Sequence, residues 1–311
     1  LSTYNSKFTL QLCNSISEIS MRLITIFFAI IITSTTSFAS PKQTVTLTAV
    51  GDVLLGRNIA KYISKYGNNY PFEKVKKVLS GSDLTLCNLE CVLSDRGTPQ
   101  NRKVLLKATP NTAGILKTAG IDVASLANNH SSDFGLDAFI DTIKAVESVG
   151  ILPIGDSSEV KVIRKNGLRV GFLAYMDLNI SDPEKQYANK VSDATIASQV
   201  KTAKSKCDVL IISIHWGIEY TKQPTARQKD LAKLCIDSGA DLIFGHHPHV
   251  IQPVETYKNR PIIYSSGSFL WDPIIPGSEK SAVYVFKLNK NNVILNKVIP
   301  VTTKKCRPVS E

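Results

Sequence analysis

From residue 44 onward, the spacing of hydrophobic positions switches repeatedly between a period of two and a helical period. TVTLTAV (44–50) alternates and is rich in Val, Leu and Thr, so it predicts a strand. Residues 72–79 carry helical spacing, and LTLCNL (84–89) is a short apolar run. PNTAGILKTAG (110–120) opens on Pro and closes on Gly, as helices often do. IDVASLA (121–127) predicts a strand, and LDAFIDTIKAVESVG (136–150) a helix stopped by Gly. Further strands are expected over 168–175, 208–214, 240–245 and 261–266, with a helix over 225–239. The run 208–214, DVLIISI, has the near-continuous β-branched character of a strand covered on both faces. The tail 281–301 predicts two strands joined by a turn at Asn289–Asn292. This alternation implies an α/β fold with helices on sheet faces, in one domain over 44–302. The polar stretch 178–200 is expected as a loop over the site.

The first residues follow another logic. Met21-Arg22 precedes LITIFFAIII, and Ser37 and Ala39 then stand in a small-x-small exit. A charged start, an apolar core and a small-residue exit make a secretory signal over 21–39. The run is short for a membrane-spanning helix, and an uncleaved N-terminal anchor is the alternative. Residues 1–20 precede the first methionine and show no clear periodicity, so 1–39 are set apart as a non-mature N-terminus. The expected location is secreted or periplasmic, outside the cytoplasm.

Composition narrows the partners. A formal net charge of +11 over 311 residues favours anionic partners. No basic run or aromatic-interleaved stripe points to nucleic acid, and none is expected as a partner. Five cysteines follow the signal, with no CxxC pair. Cys87 and Cys91 flank Glu90 and are open to bridging in an oxidising compartment. The simpler reading makes Cys87, Cys207 and Cys235 apolar fillers of buried segments.

The chemistry gathers where strands end. Five strand-like runs lead into Gly51-Asp52, Asn88-Leu89-Glu90, Asn128-Asn129-His130, His215-Trp216-Gly217 and Gly245-His246-His247-Pro248-His249. The carboxyl ends of strands in an α/β sheet are where ligands bind. All five histidines of the chain fall in these segments. Imidazole with carboxylate suits Zn, Mn or Fe better than Ca. The candidate ligands are Asp52, Glu90, Asn129 through its amide oxygen, His215, His247 and His249, for one or two divalent ions. Two ions about 4 Å apart can clamp the attacking and leaving oxygens of a phosphoryl group. His247 precedes Pro, which favours extended backbone and puts His247 and His249 on one side, with His246 facing elsewhere. His130 is the candidate proton donor. Arg57 is read either as a hold on an anionic substrate oxygen or as a surface helix charge, and Asn88 as a further substrate contact.

GDVLLGR, CNLE, LANNH, HWGIEY, GHHPHVIQPVE and YSSGSFLWD, in this order over residues 46–275, resemble the poly-γ-glutamate capsule-biosynthesis CapA (PGA_cap) family. That family is similar to the calcineurin-like metallophosphoesterases, and the resemblance implies a four-layer α-β-β-α sandwich. By motif, Asp52 resembles the first-strand metal Asp, and Glu90 stands where the bridging acid would be. Asn129 resembles the metal-binding Asn and His130 the proton donor. His215, His247 and His249 resemble the three later metal histidines. Two positions depart from the pattern: Leu54 replaces the His of the first-strand Asp-x-His, and Ser268 replaces a common Asn. The resemblance implies a secreted protein of capsule or poly-γ-glutamate biosynthesis with a metal-dependent hydrolase-type site. Its partners would be an anionic polymer or phosphoester and membrane-associated capsule assembly proteins. The alternative is a non-catalytic component for polymer binding and export on the same fold. A serine-nucleophile hydrolase is set aside, because no GxSxG occurs.

Overall fold

A computed structural model of the chain describes residues 43–179, 186–272 and 275–310. The expected signal, the alternative N-terminal anchor and residues 1–20 lie outside the described residues, as does the 180–185 part of the expected loop. In chain order the strands begin with β1 (Val45–Val53), β2 (Leu84–Leu89), β3 (Val92–Leu93), β4 (Lys107–Ala108), β5 (Val123–Ser125) and β6 (Leu152–Ile154). Next come β7 (Lys161–Lys165), β8 (Leu168–Asp177), β9 (Val209–Trp216), β10 (Leu242–His246), β11 (Val254–Tyr257) and β12 (Arg260–Ile263). The last four are β13 (Ser268–Leu270), β14 (Lys280–Asn289), β15 (Asn292–Thr303) and β16 (Pro308–Ser310). The helices are α1 (Arg57–Tyr66), α2 (Lys76–Leu79), α3 (Ala113–Ala119), α4 (Leu136–Ser148), α5 (Ile196–Ser205) and α6 (Ala226–Asp237).

The first sheet runs β16-β15-β14-β1-β2-β5-β6, with β13 also paired to β1, and the second runs β11-β12-β10-β9-β8-β7. The strands that lead to the site, β1, β2, β5, β8, β9 and β10, are parallel to their neighbours within each sheet's centre. Between the sheets, Leu47, Leu86 and Val123 of the first meet Phe172, Ile211 and Phe244 of the second. The far face of the first sheet is covered through Ile59, Leu79, Leu116 and Val146 of α1 to α4. On the far face of the second, Val200 of α5 and Leu231 of α6 pack on Leu210, Ile212 and Ile214. The layer order is therefore α-β-β-α.

Side chains on a strand alternate between faces, and this alternation builds the site. On β2, Leu84 and Leu86 face the space between sheets while Cys87 and Leu89 face the helices. On β9, Val209 and Ile211 face inward and Leu210, Ile212 and Ile214 outward. Each inward row starts apolar and ends polar: Leu84, Leu86, Asn88 on β2; Val209, Ile211, Ser213, His215 on β9; Leu242, Phe244, His246 on β10.

Some expectations shift. The helix over 72–79 shrinks to α2, because 71–75 are turns. Helix α1 is an addition to the expected elements: it lacks a capping side chain and a first-turn acid, and Ile59 is its single fully buried residue. β12 stops at Ile263, short of 266, and α5 already occupies 196–200 of the expected loop. Midway along that loop Tyr187 N donates to Ser132 Oγ at 3.0 Å. The two tail strands and their Asn289–Asn292 turn are present, and β16 adds to β15 beyond residue 302. Cys87, Cys91, Cys207, Cys235 and Cys306 are all buried free thiols, so Cys87 and Cys91 do not bridge. Both sit in the apolar layer under the helices, where burial pushes the Cys91 thiol up to about 12. Among the described residues no helix is long and apolar enough to cross a membrane.

Candidate metal centre

Asp52 reaches the inter-sheet space through an irregularity in β1. Ala49 pairs with Leu86, but the next registered pair is Asp52 with Asn88, so β1 carries one extra residue against β2. A bulge of this kind re-aims side chains. Here it turns Asp52 inward, where straight alternation from Leu47 and Ala49 would have turned Gly51. Gly51 itself must be glycine, because a Cβ there would lie 1.9 Å from Gly267 O. Glu90 follows β2 and is held by its backbone N–H on Val53 O at 3.0 Å.

The second sheet supplies the imidazoles. His215 and His246 are register partners at the ends of β9 and β10. Beyond β10 the chain bends, and His247 and His249 take φ of +97° and +56°. The expectation of extended backbone at His247 is thus overturned. The two side chains meet through this bend and not through strand alternation. The expectation that His246 faces elsewhere fails as well. His246 Nδ1 lies 3.4 Å from Asp52 Oδ1, and its side chain is fully buried.

Distances within the cluster suit a shared ion. His249 Nδ1 is 3.1 Å from Asp52 Oδ2, His215 Nε2 is 3.6 Å and His249 Nε2 3.8 Å from Glu90 Oε1. Neighbouring ligands of an ion bound at about 2.1 Å in tetrahedral geometry lie about 3.4 Å apart. Among the described residues, two groups have ligand atoms within 4.8 Å of one another: Asp52, Glu90 and His215, and Glu90, His247 and His249. Glu90 belongs to both. Asp52 Oδ2, Glu90 Oε1, His247 Nδ1 and both ring nitrogens of His246 are buried with no hydrogen-bond partner. Buried polar atoms in a folded protein are almost always paired. The orphans on Asp52, Glu90 and His247, each a member of at least one of these groups, fit a cation held there.

Ionisation of His215, His247 and Asp52 agrees with the donor set, while Glu90 would need a nearby cation to hold its charge. Burial foremost, then the nearby charge of His247, holds His215 well below the usual imidazole range. Burial also lowers His247, to about 3. Both are therefore neutral, as ligands must be. Burial would raise Asp52, but the adjacent His246 and His249 hold it well below the usual carboxylate range. Burial, with the charge of Asp52, pushes Glu90 well above that range.

The remaining candidates take varied places. Asn129 Oδ1 is 2.8 Å from His215 Nε2, at the edge of the cluster. Asn88, expected to touch substrate, is instead fully buried. Its amide donates to Asp52 Oδ1 at 2.9 Å and lies 3.4 Å from Glu90 Oε2, and its oxygen accepts from Asn128 at 3.1 Å. Its atoms orient the cage from inside. Arg57 opens α1 at the surface and lies 3.6 Å from Asp272 Oδ2. Leu54 is buried in the apolar layer with Leu55 and Ile59, so β1 contributes Asp52 and no imidazole. Ser268 Oγ is 3.0 Å from His249 Nδ1, which gives the second departure a role in orienting a ring.

Sequence reasoning missed the support beneath His130. Its Nδ1 is 2.8 Å from Asp133 Oδ2. Asp133 also accepts from Leu106 N at 2.8 Å and pairs with Arg102 at 3.2 Å, and Arg102 donates to Asn129 O. An acid three residues after a histidine was the available signal. Two aromatic neighbours of His249 were missed in the same way: Trp271 lies 4.5 Å from its ring and Tyr220 5.9 Å away.

Known proteins give this geometry a family. The model of the bacterial capsule synthesis protein PGA_cap matches residues 46–273. The capsule biosynthesis protein CapA of Bacillus anthracis is 32% identical over 284 residues, covering 86% of this chain and 69% of that one. The PGA biosynthesis protein CapA of Bacillus subtilis (strain 168) is 29% identical over 276 residues, covering 83% and 72%. A crystal structure of a hypothetical protein from Thermus thermophilus aligns over 85% of this chain and 96% of its own, at 14% identity and a TM-score of 0.47. With the motifs matched in order across nearly three quarters of its length, the chain belongs to the bacterial capsule synthesis protein family PGA_cap.

Proposed function

We propose that this chain acts outside the cytoplasm in the synthesis of an anionic capsule polymer of the poly-γ-glutamate kind, through a metal-dependent hydrolase-type site. The observation that carries the reading is the set of orphaned buried atoms on Asp52, Glu90 and His247 within the two candidate ion groups, with His130 held on Asp133. The signal-like segment 21–39 supports the location. The +11 charge and the CapA relatives support the polymer class.

Asp52, Glu90, Asn129, His215, His247 and His249 would hold one or two divalent ions of the Mn, Zn or Fe type. A divalent ion bound there supplies Lewis acidity toward a phosphoryl or carbonyl oxygen. The chain's own groups do the rest. Asn88 fixes the carboxylates. Asp133 holds His130 through Nδ1, leaving Nε2, which has no protein hydrogen bond among the described residues, to deliver a proton to a leaving group when the ring is in its imidazolium form with a proton on each nitrogen. Arg57 can leave Asp272 for an anionic oxygen of the substrate.

The second reading, polymer binding without turnover, draws on Leu54, whose place in the apolar layer leaves the Asp52 side short of an imidazole. Bound metal, then turnover of a generic phosphodiester and of poly-γ-glutamate with Mn²⁺, tests both. A chain that cannot be loaded with metal sinks the proposal. Loading without turnover on either substrate, with His130→Ala leaving capsule formation intact, favours the binding role.

A further inference from the structure

His246 lies outside both three-residue groups that could share an ion. It is nevertheless enclosed, with its side chain fully buried and a wall of Phe244 at 5.3 Å. A neutral imidazole carries one donor and one acceptor. Among the described residues neither ring nitrogen of His246 makes a well-aligned hydrogen bond, while Nδ1 comes within 3.4 Å of Asp52 Oδ1. A histidine serving only to fill space would be poorly chosen for such a position, because an apolar residue would leave no polar atom unpaired there.

Its placement is fixed by the strand and not by a flexible loop. Gly245 presses so closely on the chain beyond β12 that a Cβ would lie 2.1 Å from Tyr264 O. The register of His246 with His215 then sets both rings on the inward row facing the first sheet. Asp52 is thereby flanked on Oδ1 by His246 and on Oδ2 by His249, while Leu54 turns into the apolar layer.

We infer that His246 is the positioning residue of the Asp52 side: with Nδ1 toward Oδ1 it holds the carboxylate so that Oδ2 stays toward the ion. The inference rests on the metal-centre reading. Partners that orient a ligating carboxylate typically change metal affinity by roughly 10–100-fold when removed.

The test uses the full chain and its His246→Ala and His246→Gln variants, stripped with chelator and reloaded with Mn²⁺ or Co²⁺. Affinity is read by chelator competition, and stabilisation as the melting temperature with metal minus that without. The expected result is a loss of roughly 10–100-fold in affinity for Ala, with a smaller loss for Gln, which keeps an N–H for Asp52. The metal-dependent melting shift falls in parallel, while the cobalt absorption band stays in place because the ligand set is unchanged. If the Ala variant does not fold, the Gln variant against wild type carries the comparison. Variants that load as tightly as wild type overturn the inference alone. A displaced cobalt band overturns it too, by making His246 a ligand. A wild-type chain that takes up neither ion overturns the metal-centre reading and this inference together.

Discussion

Asp133 Oδ2 stands 2.8 Å from His130 Nδ1, and the same oxygen accepts the Leu106 backbone N–H at 2.8 Å. The carboxylate is thus anchored by the main chain before it meets the ring. That orients His130 with Nδ1 on Asp133 and leaves Nε2 for the proposed proton transfer. Asp133→Asn should lower kcat on a phosphodiester by roughly 100-fold with KM little changed. Adding Asp133→Asn to His130→Ala should cost nothing further, because the pair acts as a unit. Independent, multiplying losses in the double variant would contradict this arrangement.

Glu90 is the residue common to both candidate ion groups. Elemental analysis of Glu90→Gln should find bound metal near zero. His247→Ala leaves Asp52, Glu90 and His215 intact and should retain part of it. The metal-free Glu90→Gln protein should melt no lower than metal-free wild type, since burial and the charge of Asp52 already disfavour the Glu90 carboxylate. Equal metal content in the two variants would argue against a shared Glu90.

Gly245 carries β10 past Tyr264 and Trp216 with no room to spare; a Cβ there would lie 2.1 Å from Tyr264 O and 2.5 Å from Trp216 Nε1. Gly245→Ala should destabilise the fold by roughly 3 kcal/mol, the upper range for overpacking. Chemical denaturation reads this directly, and a change under about 0.5 kcal/mol, typical of harmless surface substitutions, would refute the close approach.

Arg169 and Asp208 tie the starts of β8 and β9 through guanidinium bonds of 2.9 and 3.3 Å and a backbone bond of 2.8 Å. The Arg169 side-chain bond leads the causes that hold the Asp208 carboxyl down, to about 2. A carboxyl depressed in the folded state stabilises above its unfolded value and loses that contribution as pH falls through the folded one. Asp208→Asn should therefore lower the melting temperature by a few degrees at pH 7. The gap to wild type should close between about pH 4 and pH 2. A gap constant over that window would remove the ionised pair as its cause.

The layers were legible because strand and helix periods differ and because β9 and β10 read as buried runs. The gathering of all five histidines at strand ends marked the site. Helix α1 was hidden by its polar face and lack of a cap, and the edge strand β7 by its charge. His246 escaped because strand alternation counted backward from Pro248 crosses a bend the sequence does not announce. Counted forward from Leu242 and Phe244, the same alternation puts His246 inward with them. The bulge that aims Asp52 depends on the close approach of Gly267 to Gly51, a contact between residues more than 200 positions apart.

The carboxylates come from the first sheet and the imidazoles from the second. An ion between them would rivet two halves whose remaining joints are apolar contact and a few hydrogen bonds, such as Asn129 to His215 and Ser268 to His249. Opening the sandwich would then require losing the ion first, so that metal retention would govern how long a folded molecule lasts. A chain short of cations would open more readily and fall to proteases sooner, and cation supply would set the working lifetime of the protein as well as its chemistry.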